Sequence, residues 1–115
     1  MLGRSTGAVL SGVEARLIEV EVDLGGGLPT IAAVGLPDSA VREGIDRIRS
    51  ALSNTGFKLH NGRVVISLAP AEVRKQGAAL DLPIAVALLT ASDQLELSTR
   101  SLVVAGELGL DGSLK

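Results

Sequence analysis

Ile18-Glu19-Val20-Glu21-Val22-Asp23-Leu24 alternates apolar and acidic residues without a break. A period of two belongs to an extended strand with one face buried and the other in water. Upstream, Val13, Ala15 and Leu17 alternate in the opposite phase. A one-residue slip turns a strand's core face toward solvent, so a single strand through both runs predicts a bulge at Leu17–Ile18, unless both faces are partly covered there. Residues 8–12 are β-compatible and short. Gly25-Gly26-Gly27-Leu28-Pro29 reads as a turn, and Thr30 to Val34 as the next strand.

A second periodicity follows. Val41, Ile45, Ile48 and Leu52 recur at helical spacing, Asp38 or Ser39 can cap the start, and Asn54-Thr55-Gly56 supplies the stop. The opposite helix face carries Arg42, Glu43, Asp46, Arg47 and Arg49. Arg63 to Leu68 is a β-branched strand, and a loop runs from Ala69-Pro70 through Arg74-Lys75-Gln76-Gly77. From Ala79 or Leu80 to Ser92 the chain is apolar all round, and Pro83 in its first turn favours a buried helix. Leu102 to Ala105 reads as a strand, and Glu107 to Gly112 as a hairpin with an Asp-Gly turn. The return arm is only Ser113, Leu114 and Lys115, which predicts a fragment of a longer polypeptide. Residues 1–115 thus form a single α+β domain with a mixed set of about five or six strands and two main helices.

Composition narrows the function classes. The chain is 46% hydrophobic, yet Phe57 is its only aromatic residue. The core must be aliphatic, and the stacking platforms of single-strand nucleic-acid binders are missing. A net charge of −2 argues against holding DNA or an anionic membrane by charge alone. Without cysteine there is no disulfide, thiol nucleophile or Cys-ligated zinc. No apolar run has signal-peptide or membrane-spanning character, so a soluble, cytoplasmic domain without membrane contact is expected.

Most sites of chemistry are also unsupported. A phosphate-binding loop of Walker type needs a Gly-Lys pair, and none occurs. No Gly-x-Ser-x-Gly nucleophile elbow is expected, and the single His60 leaves almost no room for a Ser-His-Asp triad. Glu19, Glu21 and Asp23 share a strand face that could hold a hard cation, although a solvated face is the simpler reading, and no metal site is assigned. A Ser–Lys dyad would lie in the loop before the second helix, where Lys75-Gln76-Gly77-Ala78-Ala79 offers no hydroxyl. Arg42, Arg47, Arg49, Arg74 and Lys75 are the candidate DNA contacts.

Five separated motifs then occur in order: Val34-Gly35-Leu36-Pro37-Asp38; Val41-Arg42-Glu43 with Asp46-Arg47-Ile48-Arg49-Ser50-Ala51; Ser67-Leu68-Ala69-Pro70-Ala71; Asp81-Leu82-Pro83-Ile84-Ala85; and Gly106-Glu107-Leu108. Together they resemble the amino-terminal domain of the magnesium-chelatase-like ATPase family, ComM type. The resemblance implies a Lon protease-like domain of the ribosomal protein S5 domain 2-like fold, ahead of a downstream AAA+ module that uses ATP and Mg2+. It further implies a hexameric ring acting on DNA in branch migration during natural transformation. In Lon-type peptidases the nucleophilic serine sits in a Pro-Lys-Asp-Gly-Pro-Ser-Ala-Gly stretch. The similar stretch Arg74 to Asp81 puts Ala79 at the serine's place, and the dyad lysine would come after Lys115. The expectation is a domain without catalytic residues or a cofactor of its own, an assembly or DNA-guiding part of the ATPase. The alternatives are a residual Lon-like hydrolase and a regulatory domain of a chelatase-type subunit in tetrapyrrole synthesis.

Overall fold

The structure is a computed structural model that describes all residues except 12–13, 36, 72–74, 76–77, 97–102, 105 and 115. Its elements run β1 (Leu2–Ser11), β2 (Glu14–Gly25), β3 (Thr30–Val34), α1 (Ser39–Asn54), β4 (Arg63–Ala69) and α2 (Asp81–Ala91). The four strands form one mixed sheet in the order β1-β2-β4-β3. β1 and β4 flank β2 antiparallel, while β3 pairs with β4 in parallel through the α1 crossover. The expected α+β class with a mixed sheet and two main helices is therefore observed.

The buried residues of β2, Ile18, Val20, Val22 and Leu24, line up with Val64, Ile66 and Leu68 of β4 beneath the helices. Glu19, Glu21 and Asp23 face away from them, as the alternation requires. The expected bulge is absent. Pairing runs residue for residue from Leu2↔Asp23 to Ser11↔Glu14, through Ala8↔Leu17 and Gly7↔Ile18. Upstream of Ile18 the strand keeps its register, and Leu17 stands on the outer face at 60% exposure. On the inner face Glu14 and Arg16 are exposed, so the helical cover ends there and nothing forces the register to slip.

β1 is longer than the predicted segment because its inner face in the first half is Gly3, Ser5 and Gly7, which carries no apolar signal. Those small residues have a packing cause. A Cβ at Gly3 would lie 2.1 Å from Ala87 O and 2.4 Å from Ala91 N, and one at Gly7 would lie 2.7 Å from Pro83 Cγ. The backbone of α2 rests directly on β1, and Ser5 Oγ donates to Pro83 O at 2.6 Å.

α1 begins where Asp38 Oδ1 accepts the Val41 N–H at 2.9 Å, and it buries Val41, Gly44, Ile48, Ala51 and Leu52. This is the face read from the sequence, with Ile45 half-buried at its margin. α2 carries Pro83 in its first turn, as expected. Of the predicted strand 102–105, residues 102 and 105 lie outside the described residues. Val103 bridges Thr6 in parallel, and Val104 N–H donates to Thr6 O at 2.9 Å. The Asp-Gly hairpin forms, with Leu108 bridging Leu114 and Gly109 N–H donating to Ser113 O at 2.8 Å. No helix among the described residues is long and apolar enough to cross a membrane.

Candidate functional site

The sequence places its clearest chemical question at the loop entering α2, and that loop is held by main-chain bonds. Gly106 N–H donates to Ala79 O at 3.0 Å, and Leu82 N–H donates to Gly106 O at 3.0 Å. Ala79 thus sits between the start of α2 and the segment leading to the hairpin, with only a methyl group to present. A methyl group cannot attack a carbonyl, so no acyl-enzyme can form through this position.

Two residues later the structure builds a buried ion pair. Asp81 is 2% exposed. Arg47 reaches it from α1 with a fork, Nε to Oδ2 at 3.2 Å and Nη2 to Oδ1 at 3.3 Å, and Leu108 N–H donates to Oδ2 at 3.1 Å. One carboxylate therefore joins α1, α2 and the hairpin, and it occupies the first turn of α2 where the helix dipole favours negative charge. Gly44 makes room for it, because a Cβ there would lie 2.4 Å from Asp81 Oδ1.

The candidate DNA contacts separate on inspection. Arg42 and Arg49 are exposed on α1, seven residues apart and on one side of the helix. Arg47 is committed to Asp81. Lys75 is a correction to the expectation: it is 0% exposed, its Nζ donates to Pro70 O, and its main-chain O accepts the Asp38 N–H at 3.1 Å. With its side chain on Pro70 and its main chain on Asp38, Lys75 ties the end of β4 to the start of α1 and does not present its ammonium to a phosphate from outside. Arg74 lies outside the described residues.

The acidic face is partly neutralised. Arg4 Nε meets Glu21 Oε2 at 2.7 Å, and the N-terminal amine lies 3.6 Å from Asp23 Oδ1. Among the described residues no group of three His, Asp or Glu side chains is placed to hold a metal ion. His60 Nε2 lies 2.7 Å from Gly25 O, an acceptor only, so that nitrogen carries the proton and the ring ties the β2–β3 turn to the segment entering β4.

A family model for subunit ChlI of Mg-chelatase matches residues 20–115. The chain belongs to the ChlI family. Over 105 residues and 90% of its length it is 47% identical to the uncharacterized protein YifB of Salmonella typhimurium, and 46% identical to the competence protein ComM of Haemophilus influenzae. Over 99% of its length it is 35% identical to the uncharacterized protein Rv2897c of Mycobacterium tuberculosis. The chain spans about a fifth of the length of these relatives, 21% to 23%.

For this ChlI-family chain, sequence reasoning passed over two features. Gly3-Arg4-Ser5-Thr6-Gly7 spells the Gly-x-Ser-x-Gly pattern of a nucleophile elbow. An elbow needs a strand-to-helix turn, whereas Ser5 lies mid-strand with its proton given to Pro83 O. The glycines serve close packing. The Arg47–Asp81 pair was the other omission, and its signal was a lone carboxylate opening an otherwise apolar helix.

Proposed function

We propose that this ChlI-family chain is a non-catalytic assembly and DNA-guiding domain of a magnesium-chelatase-like AAA+ ATPase of ComM type. In this reading it has the ribosomal protein S5 domain 2-like fold and works in a cytoplasmic hexameric ring. The observation that carries the reading is 46% identity to a competence protein over 90% of the chain. The absence of a hydroxyl at Ala79 and of a Gly-Lys pair anywhere supports it. Without a phosphate-binding Gly-Lys here, ATP and Mg2+ would be held by a module outside this chain.

What remains for the domain is contact. Arg42 and Arg49 present two guanidinium groups from one rigid helix, and each phosphate neutralised releases condensed counterions. Anisotropy titrations of the protein against a labelled forked DNA, at several salt concentrations, test this. The double variant Arg42→Glu/Arg49→Glu is expected to weaken binding at least tenfold and to flatten the log–log salt slope by about 2. An unchanged slope, or no salt-dependent binding by the parent protein, contradicts the DNA-guiding role. The family description favours a second reading, a regulatory domain of a chelatase-type subunit in tetrapyrrole synthesis, for which no DNA binding is expected.

A further inference from the structure

β3 is the last strand of the sheet on its side, and among the described residues no strand lies beyond it. Natural sheets protect such edges with charge, proline, bulges or a covering segment. Thr30-Ile31-Ala32-Ala33-Val34 has none of the first two within it, and its pairing with β4 is regular. The Thr30 N–H donates to Gly62 O at 3.3 Å, so the main chain of Thr30, Ala32 and Val34 turns toward β4. By strand alternation the N–H and C=O groups of Ile31 and Ala33 point to the open side.

Directly beneath this edge lies a cleft of about 310 Å³ between the two helices and the sheet. Leu24, Val64 and Ile66 form its floor, and Ile45, Leu52 and Leu88 its walls, while Ile31 itself lines the mouth. Among the neutral polar side chains around it, those of Gln94, Ser92 and His60 are already engaged. Gln94 Oε1 accepts the Lys58 N–H at 2.8 Å, and Gln94 Nε2 donates to Lys58 O at 2.8 Å. Ser92 Oγ donates to Leu88 O at 3.0 Å, and His60 Nε2 donates to Gly25 O. Arg49 and Lys58 are different. Both are exposed, and neither side chain has an ion-pair or hydrogen-bond partner among the described residues. Among the described residues no carboxylate lines the cleft.

We propose that the open edge of β3 and this cleft form a strand-addition site for an extended segment of a partner protein. The segment adds main-chain bonds to Ile31 and Ala33, places an aliphatic side chain in the cleft, and meets Arg49 and Lys58 with a carboxylate. Main-chain pairing gives such sites affinity, and the pocket beneath gives selectivity. A second copy of this chain is a poor occupant, because its β3 has no carboxylate to offer. A single-chain amphiphile would leave the edge N–H and C=O groups unpaired.

The test uses the 15N-labelled protein and acetyl-Thr-Leu-Thr-Glu-Thr-Val-Thr-amide, followed by amide shifts and hydrogen exchange. The expected result is slowed exchange at Ile31 and Ala33 on peptide addition. Two N-methylated peptides, one modified at Leu, Glu and Val and the other at the inner Thr residues, should differ at least tenfold, because only alternate peptide N–H groups face the edge. Lys58→Glu is expected to weaken binding at least fivefold, with recovery when the peptide Glu is replaced by Lys. Equal effects of the two N-methylated peptides overturn the proposal. So does protection of Ile31 and Ala33 before peptide is added, which means that the edge is covered from within or by a second copy. Octanoate occupying the cleft while the peptide leaves both amides unchanged overturns it in favour of an amphiphile.

Discussion

Asp81→Ala is expected to destabilise the fold by about 3 kcal/mol, the low end of what breaking a buried ion pair costs. The substitution removes the acceptor of the Arg47 fork and strands the Leu108 N–H, which is buried with it. The low end applies because the Arg47 side chain keeps 28% exposure and regains water when its partner is gone. Urea unfolding followed by far-ultraviolet circular dichroism measures the loss. Single-domain stabilities of roughly 5–15 kcal/mol make such a loss plain in the midpoint. Arg47→Ala is also destabilising, since Asp81 at 2% exposure is left with the Leu108 N–H. The double variant is expected to cost less than the sum, because both changes break one network. A loss below about 1 kcal/mol for Asp81→Ala would place the pair among weak surface contacts and contradict its role as the junction of three elements.

Gly3→Ala is expected to be about as costly. The added methyl carbon would meet Ala87 O at 2.1 Å and Ala91 N at 2.4 Å, both main-chain atoms of α2. A flexible side chain could turn aside; a helix backbone cannot, so α2 must withdraw from β1 along its length. Overpacking of a close interface costs roughly 1–3 kcal/mol, and the rigid partner puts this case at about 3 kcal/mol. Gly26→Ala is the control, because nothing lies within 4 Å of a Cβ there, and its effect should stay within about 0.5 kcal/mol. Equal midpoints for the two variants would show that α2 does not lie on β1 as described.

These two sites also mark where the sequence could be read and where it could not. Periodicity carried β2 and α1, and β-branched content β4, because their buried faces are apolar side chains at regular spacing, whereas β3 is exposed apart from half-buried Ala33 and was legible only from the turns around it; the N-cap of α1 followed from Asp38. The first half of β1 gave no such signal, since its inner face is glycine and serine and its burial is imposed by a helix far along the chain. The phase change at Leu17–Ile18 predicts a bulge, or cover on both faces, only if alternation means burial throughout, whereas the helical layer ends at that point. Local charge counting could not separate Arg47 and Lys75 from Arg42 and Arg49. Which cations reach solvent is decided by tertiary contacts: Asp81 takes Arg47, and Pro70 O takes Lys75. The Ala79 position was legible only through the family resemblance, and the cleft under β3 arises between segments that no short motif connects.

The proposed role is to position other machinery, with no bond broken by the domain itself. Incubation with casein and a serine-reactive fluorophosphonate, followed by intact-protein mass measurement and peptide mapping, addresses that directly. The predicted result is uncut casein and an unmodified protein mass. Casein cleavage together with a stoichiometric adduct on any serine, Ser5 included, would contradict it.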